Sequence, residues 1–139
     1  IARKELWNVG EDFSHSTGHG VGFCLNVHEG PFSISLRNTS PLYERMIFSN
    51  EPGLYKNGKY GIRIENLVYT KENLLNKKKF LTLEALTLVP YEKELIDITL
   101  LNDLEKKWLN NYHKSVIKNI GPYLNKAEKV WLKNQCKEI

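Results

Sequence analysis

The stretch His15-Ser-Thr-Gly-His19-Gly-Val-Gly22 decides how this chain is interpreted, and Asn26-Val-His28-Glu-Gly-Pro31 follows soon after it. Two carboxylate motifs come next, Glu51-Pro-Gly53 and Gly61-Ile-Arg-Ile-Glu65-Asn66. Metal ions that promote hydrolysis bind imidazole nitrogen and carboxylate oxygen, and they need both from elements rigid enough to hold a coordination geometry. This region contains both kinds of ligand, so it predicts a metal site.

The pattern of residues 61–69 is that of a β-strand, in which successive side chains point to opposite faces. The alternation predicts that Arg63 and Glu65 face one side while Ile62 and Ile64 face the other. A carboxylate would then point away from the core and toward a site.

Short strands separated by turns are predicted for residues 21–89, where glycine, proline and asparagine punctuate the pattern. They should form a twisted, mostly antiparallel sheet. Within it, Glu51-Pro-Gly-Leu-Tyr-Lys-Asn-Gly58 combines a proline-fixed bend with an Asn-Gly turn. Glu51 is therefore predicted to close one strand just before the chain reverses, which would let Glu51 and Glu65 approach each other.

Two helices are predicted at the end of the chain. Asn102 has the character of an N-cap, with Glu105 in the capping-box position. Apolar residues continue at helical spacing until Gly121-Pro122 stops the helix: Leu104, Trp108, Tyr112 and Val116. A second helix from Pro122 to Gln135 would place four residues on one face: Leu124, Ala127, Trp131 and Leu132. This helical hairpin either packs on the sheet or meets a second subunit.

Composition limits the function classes. The 139 residues are 41% hydrophobic, which suits one compact unit with an ordinary core, and 20 basic against 16 acidic residues give a net charge of +4. The run Lys77-Lys78-Lys79 is interpreted as a solvated loop. A basic stripe interleaved with aromatic residues, the mark of a nucleic-acid-binding surface, is absent from the sequence.

Cysteine usage favours a reducing compartment. Cys24 and Cys136 are too few and too isolated for a disulfide framework. The sequence contains no apolar run of transmembrane length and no visible secretory signal. We expect neither a nucleic-acid partner nor a membrane, and a cytoplasmic location.

The ordered motifs TGHGVG, NVHEGP, EPGLY and GIRIEN resemble the second half of the catalytic domain of aminopeptidase P, the Xaa-Pro aminopeptidase of the pita-bread metallopeptidases. Later segments resemble the eukaryotic cytosolic form: Leu83–Pro90, Ile96-Asp97 and Trp108–His113. The resemblance implies an α+β fold, the C-terminal half of a pita-bread domain with a mostly antiparallel sheet and helices. It implies catalytic-domain residues at 1–98 and a C-terminal helical extension at 99–139.

The resemblance also implies a ligand set. Taken alone, Glu51 and Glu65 would be ordinary surface glutamates, but in the family's order His19, Glu51 and Glu65 correspond to metal ligands, with Glu65 bridging two divalent ions, expected to be Mn²⁺. The family completes this site with two aspartates upstream of the histidine loop. Because the chain opens on Ile-Ala-Arg-Lys-Glu-Leu-Trp7, which has the character of a helix tail, we expect it to be the C-terminal portion of a longer protein. By itself it should bind one ion weakly and lack activity.

Further roles follow from the resemblance. His28 would donate to the oxyanion that develops at the scissile carbonyl, His15 would help to hold the substrate, and Glu51 would also carry a proton to the leaving proline nitrogen. Both histidines could instead be ordinary polar loop residues. Independently of the resemblance, the strand face that Arg63 shares with Glu65 predicts that Arg63 pairs with and orients Glu65, with direct substrate contact as the alternative.

The implied substrates are peptides with proline at the second position, and the implied assembly is a homodimer formed through the C-terminal domain. Two alternatives remain: prolidase, which cleaves Xaa-Pro dipeptides, and a pita-bread relative that lost its metal and acts as a binding or chaperone module. The NVHEGP loop and the WLNNYH helix resemble aminopeptidase P more than prolidase. The presence of all three ligands expected in this region argues against the non-catalytic alternative.

Overall fold

The computed structural model describes residues 2–24 and 26–139. The chain divides into two compact units, Ile1–Thr87 and Leu88–Ile139. The predicted boundary at residue 98 lies within the second unit. The division into catalytic-domain residues 1–98 and a helical extension at 99–139 stays a prediction. Ile1, where the predicted helix tail opens, lies outside the described residues.

The first unit combines one short helix with antiparallel strands. In chain order its described elements are α1 Lys4–Asn8, β1 Gly18–His19, β2 Ser33–Ile34, β3 Ile47–Asn50, β4 Gly53–Lys56, β5 Tyr60–Arg63, β6 Asn66–Leu75 and β7 Lys78–Ala85. β1 pairs with β2, β4 pairs with β5, and β6 lies between β3 and β7. The predicted antiparallel pairing is present, but among the described residues the strands form three small sheets instead of one.

Tight turns set the register of two ladders. Gly58, between β4 and β5, has a φ of 69°, which glycine adopts without a Cβ penalty. Asn76 and Lys77, with φ of 50° and 62°, form the two-residue loop between β6 and β7. Positive φ at both loop positions is the mark of a type I′ turn, whose twist matches that of the flanking strands. The antiparallel pairing of β4 with β5 confirms the reversal predicted after Glu51.

The strand predicted for residues 61–69 is interrupted. β5 ends before Glu65 and β6 begins after it, so Glu65 lies in the break between two strands. Ile62 and Ile64 are 47% and 52% exposed, so the apolar face predicted for this strand is not buried here. The buried positions belong to the next strand: Asn66, Val68 and Thr70.

Aromatic packing anchors β3. Phe48 is 1% exposed, and its ring centroid lies 4.7 Å from that of Phe32. Burial of a phenylalanine side chain contributes about 1.5–3 kcal/mol to folding. β3 is thereby held in place immediately before Glu51, which follows it in sequence.

The second unit is helical. Its described elements are two longer helices, α2 Asp103–Ile120 and α3 Lys126–Gln135, and 3₁₀ turns at Lys93–Leu95, Ile98–Leu100 and Gly121–Tyr123. The capping box predicted for α2 is confirmed: the Asn102 side chain accepts from the Glu105 N–H at 3.0 Å, and the Glu105 carboxylate accepts from the Asn102 N–H at 2.9 Å. Such a cap is typically worth about 1 kcal/mol.

The predicted start of α3 at Pro122 is wrong. Pro122 lies in the 3₁₀ turn, and Asn125 caps the helix by accepting from the Glu128 N–H at 3.0 Å. Asn125 and Glu128 form a second capping box, in which each side chain accepts the backbone N–H of the other residue. Proline has no polar side chain with which to accept the free N–H groups at a helix start. Of the four residues assigned to the apolar face, only Leu132 is fully buried, and Trp131 is exposed.

His113, on α2, has a structural role. It is buried, and its Nε2 accepts the Tyr91 N–H at 3.1 Å, while the Tyr112 hydroxyl donates to the Val89 carbonyl at 2.8 Å. Burial, and after it the nearby Lys93 ammonium, lower the pKa of His113. In the part of the chain that the structure describes, no helix has the length and apolar character of a membrane span.

Candidate metal centre

Backbone contacts between β1 and β3 bring His19 close to Glu51. Gly20 pairs with Phe48 in an antiparallel bridge, and the Glu51 N–H donates to the Thr17 carbonyl at 2.7 Å. The register defined by these two contacts places His19 diagonally across from Glu51. Diagonal neighbours on one face of an antiparallel pair lie within reach of long side chains.

The two glycines flanking His19 are required by the neighbouring backbone. A Cβ on Gly18 would lie 1.9 Å from the Ser49 carbonyl oxygen, and a Cβ on Gly20 would lie 2.1 Å from the Glu29 carbonyl oxygen. The group that approaches is the protein's own backbone, which confines the His19 main chain between strand and loop.

The His19 ring is held in one tautomer. Its Nδ1 lies 2.9 Å from the Gly20 carbonyl oxygen, and because a carbonyl only accepts, Nδ1 carries the proton. In the neutral ring Nε2 then has a free lone pair. A backbone carbonyl that fixes the tautomer in this way is the usual support of a metal-binding histidine.

The His19 Nε2 atom lies beside a carboxylate. His19 Nε2 lies 3.0 Å from Glu51 Oε1, and the two side chains are 18% and 8% exposed. A neutral imidazole and a carboxylate oxygen are both acceptors, so they repel at this distance unless a cation or a proton lies between them. A divalent ion forms bonds of about 2.0–2.2 Å to each atom type, which is compatible with this separation. The pair therefore fits a metal ion.

Two further side chains orient the Glu51 carboxylate. The Ser49 hydroxyl donates to Oε1 at 3.0 Å, and Arg63 Nη1 donates to Oε2 at 3.0 Å. Ser49 is fully buried and also accepts the His19 N–H at 3.0 Å. Ser49 was not among the residues predicted for the site, although its position two residues before Glu51 on one strand face was a usable signal.

Arg63 pairs with Glu51 and not with Glu65, which corrects the predicted ion pair. Its Nε also donates to the Tyr55 hydroxyl at 2.9 Å. This hydrogen bond, and after it the nearby Glu51 and Glu65 carboxylates, raise the pKa of Arg63. Because the β4–β5 register, not sequence proximity, brings Arg63 to this position, no local signal could have identified its partner.

His15 reaches the same group through Tyr55. His15 Nδ1 lies 2.7 Å from the Ser16 carbonyl oxygen, and His15 Nε2 lies 2.7 Å from the Tyr55 hydroxyl. Since Nδ1 donates to the carbonyl, Nε2 of the neutral ring accepts from Tyr55, whose oxygen accepts from Arg63. Tyr55 thus connects His15 to the group around Glu51. Tyr55 was not among the residues predicted for the site.

His28 lies directly beside His19. Their ring centroids are 4.1 Å apart, with the planes inclined at 43°. The exposed loop that carries His28 folds back because the Glu29 N–H donates to the Gly20 carbonyl at 2.9 Å.

Glu65 lies opposite Glu51 in the backbone register, but its carboxylate does not form one cluster with the side chains of His19 and Glu51. Asn50 pairs with Asn66 in one ladder and Gly53 pairs with Arg63 in the next, so the shared register sets Glu65 across from Glu51. Glu65 is exposed. Within residues 2–24 and 26–139, no three His, Cys, Asp or Glu side chains form a group that could hold a metal ion. The bridging role of Glu65 stays a prediction.

Family models match nearly the whole chain. Residues 1–72 match metallopeptidase family M24, and residues 79–139 match the C-terminal region of peptidase_M24. The chain is 45% identical to the Xaa-Pro aminopeptidase app-1 of Caenorhabditis elegans and 44% identical to Aminopeptidase P2 of Arabidopsis thaliana, with 100% of this chain aligned in both. It covers 24% and 21% of those proteins, respectively.

A solved structure agrees with the fold. The crystal structure of X-prolyl aminopeptidase from Caenorhabditis elegans, described as a cytosolic enzyme with a di-nuclear active site, matches with a TM-score of 0.91 and 46% identity over 99% of this chain and 23% of that one. The match confirms the predicted α+β, pita-bread fold class. This chain spans about a quarter of the length of the relatives that it matches. Since the M24 model alone matches more than half of its residues, and a second model covers most of the rest, the chain belongs to metallopeptidase family M24.

Proposed function

We propose that the chain forms part of a metal-dependent Xaa-Pro aminopeptidase, which hydrolyses an N-terminal peptide bond that precedes proline. The observation that carries this proposal is the pair His19 Nε2 and Glu51 Oε1, 3.0 Å apart, with the imidazole proton held on Nδ1. Relatives named for this activity are 44–46% identical along the chain. The proposal concerns the full-length gene product, since the chain spans about a quarter of those relatives.

His19, Glu51 and Glu65 are the proposed ligands that this chain contributes. Imidazole nitrogen and carboxylate oxygen together suit Mn²⁺ or a similar divalent ion. We propose two ions, in keeping with the di-nuclear site described for the Caenorhabditis elegans relative. When bound, such ions polarise the scissile carbonyl and lower the pKa of a water molecule.

Glu51 has a second proposed role, as the carboxylate that transfers a proton. Amide nitrogen is a poor leaving group until it is protonated, so the reaction needs a carboxylate that takes a proton from water and delivers it to the proline nitrogen. Ser49 and Arg63 hold the Glu51 carboxylate from two sides, which limits its rotation. Its position is therefore preorganised for this transfer.

The histidines act on the substrate. The exposed His28 ring, 4.1 Å from the His19 ring, is placed to donate to the oxyanion that develops at the carbonyl. Such a donor is typically worth about 3–4 kcal/mol in the transition state. His15 and Arg63, joined through the Tyr55 hydroxyl, would hold the substrate peptide beside this group.

Two finer proposals concern location and assembly. A cytoplasmic location is supported by the description of the Caenorhabditis elegans relative as cytosolic. A homodimer formed through the C-terminal helices is supported by the exposed indole rings of Trp108 and Trp131, which are 55% and 57% exposed. Large aromatic side chains at a surface are common at protein interfaces.

The test is an assay of the full-length protein on Xaa-Pro-Yaa peptides, with matched Xaa-Ala-Yaa peptides as the control. Cleavage should require proline, disappear after chelation and return with Mn²⁺. Equal turnover before and after chelation would exclude the metal mechanism. Activity limited to Xaa-Pro dipeptides would identify a prolidase, and metal binding without cleavage would identify a non-catalytic relative.

A further inference from the structure

Arg3, immediately before helix α1, contacts the backbone around His15. Its Nη2 donates to the His15 carbonyl at 2.6 Å, and its Nη1 donates to the Phe13 carbonyl and to the Asp12 carboxylate. The Arg3 side chain is only 15% exposed. The planar guanidinium presents its donors in a rigid fork, so it can hold several acceptors at fixed relative positions.

Asp12 ties this arginine to the helix. Its carboxylate accepts the Phe13 N–H at 2.8 Å, and hydrogen bonds from the Trp7 side chain, then from Arg3, then from the Phe13 N–H lower the pKa of Asp12. Asp12 therefore stays ionised and keeps the charge that attracts Arg3. Because Arg3 is the N-cap residue of α1, its guanidinium joins the start of the helix to the His15 loop.

Phe13 transmits the contact to the His15 ring. The guanidinium carbon of Arg3 lies 3.8 Å from the Phe13 ring centroid, a cation–π contact. The Phe13 ring also lies beside the His15 ring, with 4.6 Å between the two ring centroids. Phe13 is 5% exposed, so its ring has little freedom to move. His15 is thus held at its carbonyl by Arg3, along its ring by Phe13, and at Nε2 by Tyr55.

We propose that Arg3 is a positioning residue that sets the orientation of the His15 imidazole, by binding the carbonyls of Phe13 and His15 and packing on the Phe13 ring. The effect on turnover rests on the proposed function, in which His15 holds the substrate. The effect on the orientation of the His15 ring does not depend on the proposed function. Lysine could replace the charge of Arg3 but not the fork that spans the two carbonyls.

The test compares Arg3→Ala and Arg3→Lys in the full-length protein, with Arg37→Ala, an exposed arginine, as the matched control. The NMR signal of the His15 ring, assigned by its loss in His15→Gln, reports orientation without reference to activity. That signal should shift in both Arg3 variants, and millimolar guanidinium should return it toward the wild-type position in Arg3→Ala. Displacement of a substrate-contacting group by about 1 Å can cost 10²-fold, so kcat/KM should fall about 10- to 100-fold and recover with guanidinium.

An unchanged His15 signal in a folded Arg3→Ala protein would overturn the inference, as would an equal shift in Arg37→Ala. If Arg3→Ala does not fold, the Arg3→Lys spectrum decides in the same way. A second outcome separates the two proposals. If the His15 signal shifts in Arg3→Ala and is rescued by guanidinium, but the wild-type protein cleaves no Xaa-Pro peptide, the positioning role is supported and the proposed function is refuted. The two failures are therefore distinguishable.

Discussion

Tyr55→Phe is the most direct test of how the candidate site is connected. The substitution removes one oxygen, and with it the hydrogen bonds to His15 Nε2 at 2.7 Å and from Arg63 Nε at 2.9 Å. A hydrogen bond between neutral groups contributes about 0.5–1.5 kcal/mol net, and one to a charged group about 1.5–3 kcal/mol. Water replaces part of this loss, because both partners are at least partly exposed. We expect a net loss of about 1–2 kcal/mol.

That loss should be measured as a fall in kcat/KM of roughly 5- to 30-fold, since 1.36 kcal/mol corresponds to a factor of ten. The proposed metal ligands keep their contacts, so metal content should equal that of the wild type. The control is Tyr60→Phe, which removes the same oxygen from an exposed tyrosine on the neighbouring strand. Full-length proteins are compared on Xaa-Pro-Yaa peptides, with bound metal measured in each.

Equal kcat/KM in Tyr55→Phe and Tyr60→Phe would refute the connecting role of Tyr55. Loss of metal together with activity would show that Tyr55 supports the ligands and not the substrate side of the site. Only a drop in kcat/KM at constant metal content agrees with the geometry.

Three other predictions can be checked. His28→Ala should lower kcat about 100-fold with metal content unchanged, as expected for an oxyanion donor, and loss of metal would show that His28 is a ligand. Glu51→Gln should lower both kcat and Mn²⁺ affinity, measured by calorimetry, whereas the exposed Glu94→Gln should lower neither. The pKa of His113, measured by NMR, should lie below its ordinary 6.5, because burial and then Lys93 disfavour the imidazolium. The unfolded state then binds the proton more tightly, so stability should be full above pH 6.5 and decline as the pH falls below it; a pKa above 6.5 would contradict this.

A fifth prediction concerns the 139-residue polypeptide by itself. The structure brings together His19 and Glu51, and two ligands hold a divalent ion weakly. The purified polypeptide should bind little Mn²⁺ and cleave no Xaa-Pro peptide, and activity should appear when a separately expressed upstream segment of the gene product is added. Efficient cleavage by the polypeptide alone would contradict the predicted need for upstream aspartates.

Local rules of sequence were sufficient where the physical cause is local. The capping box of Asn102 and Glu105 depends on residues three apart, and the turn at Gly58 depends on one backbone conformation. Both were predicted correctly. The start of α3 was wrong because two local signals compete, and the capping box of Asn125 prevailed over Pro122. The order of His19, Glu51 and Glu65 along the chain is read directly from the sequence, and their role as metal ligands stays a proposal.

Only the tertiary structure decided which of these groups meet. Whether Arg63 binds Glu51 or Glu65 depends on strand register, and residues 61–69 gave no signal of the break before Glu65. Tyr55 connects to His15 across 40 residues of sequence, a contact that no local periodicity encodes. Sequence thus determined which imidazole and carboxylate groups are available to the candidate site, since these follow from residue identity. Their partners depended on long-range pairing, because hydrogen bonds and ion pairs require distances that only the folded backbone sets.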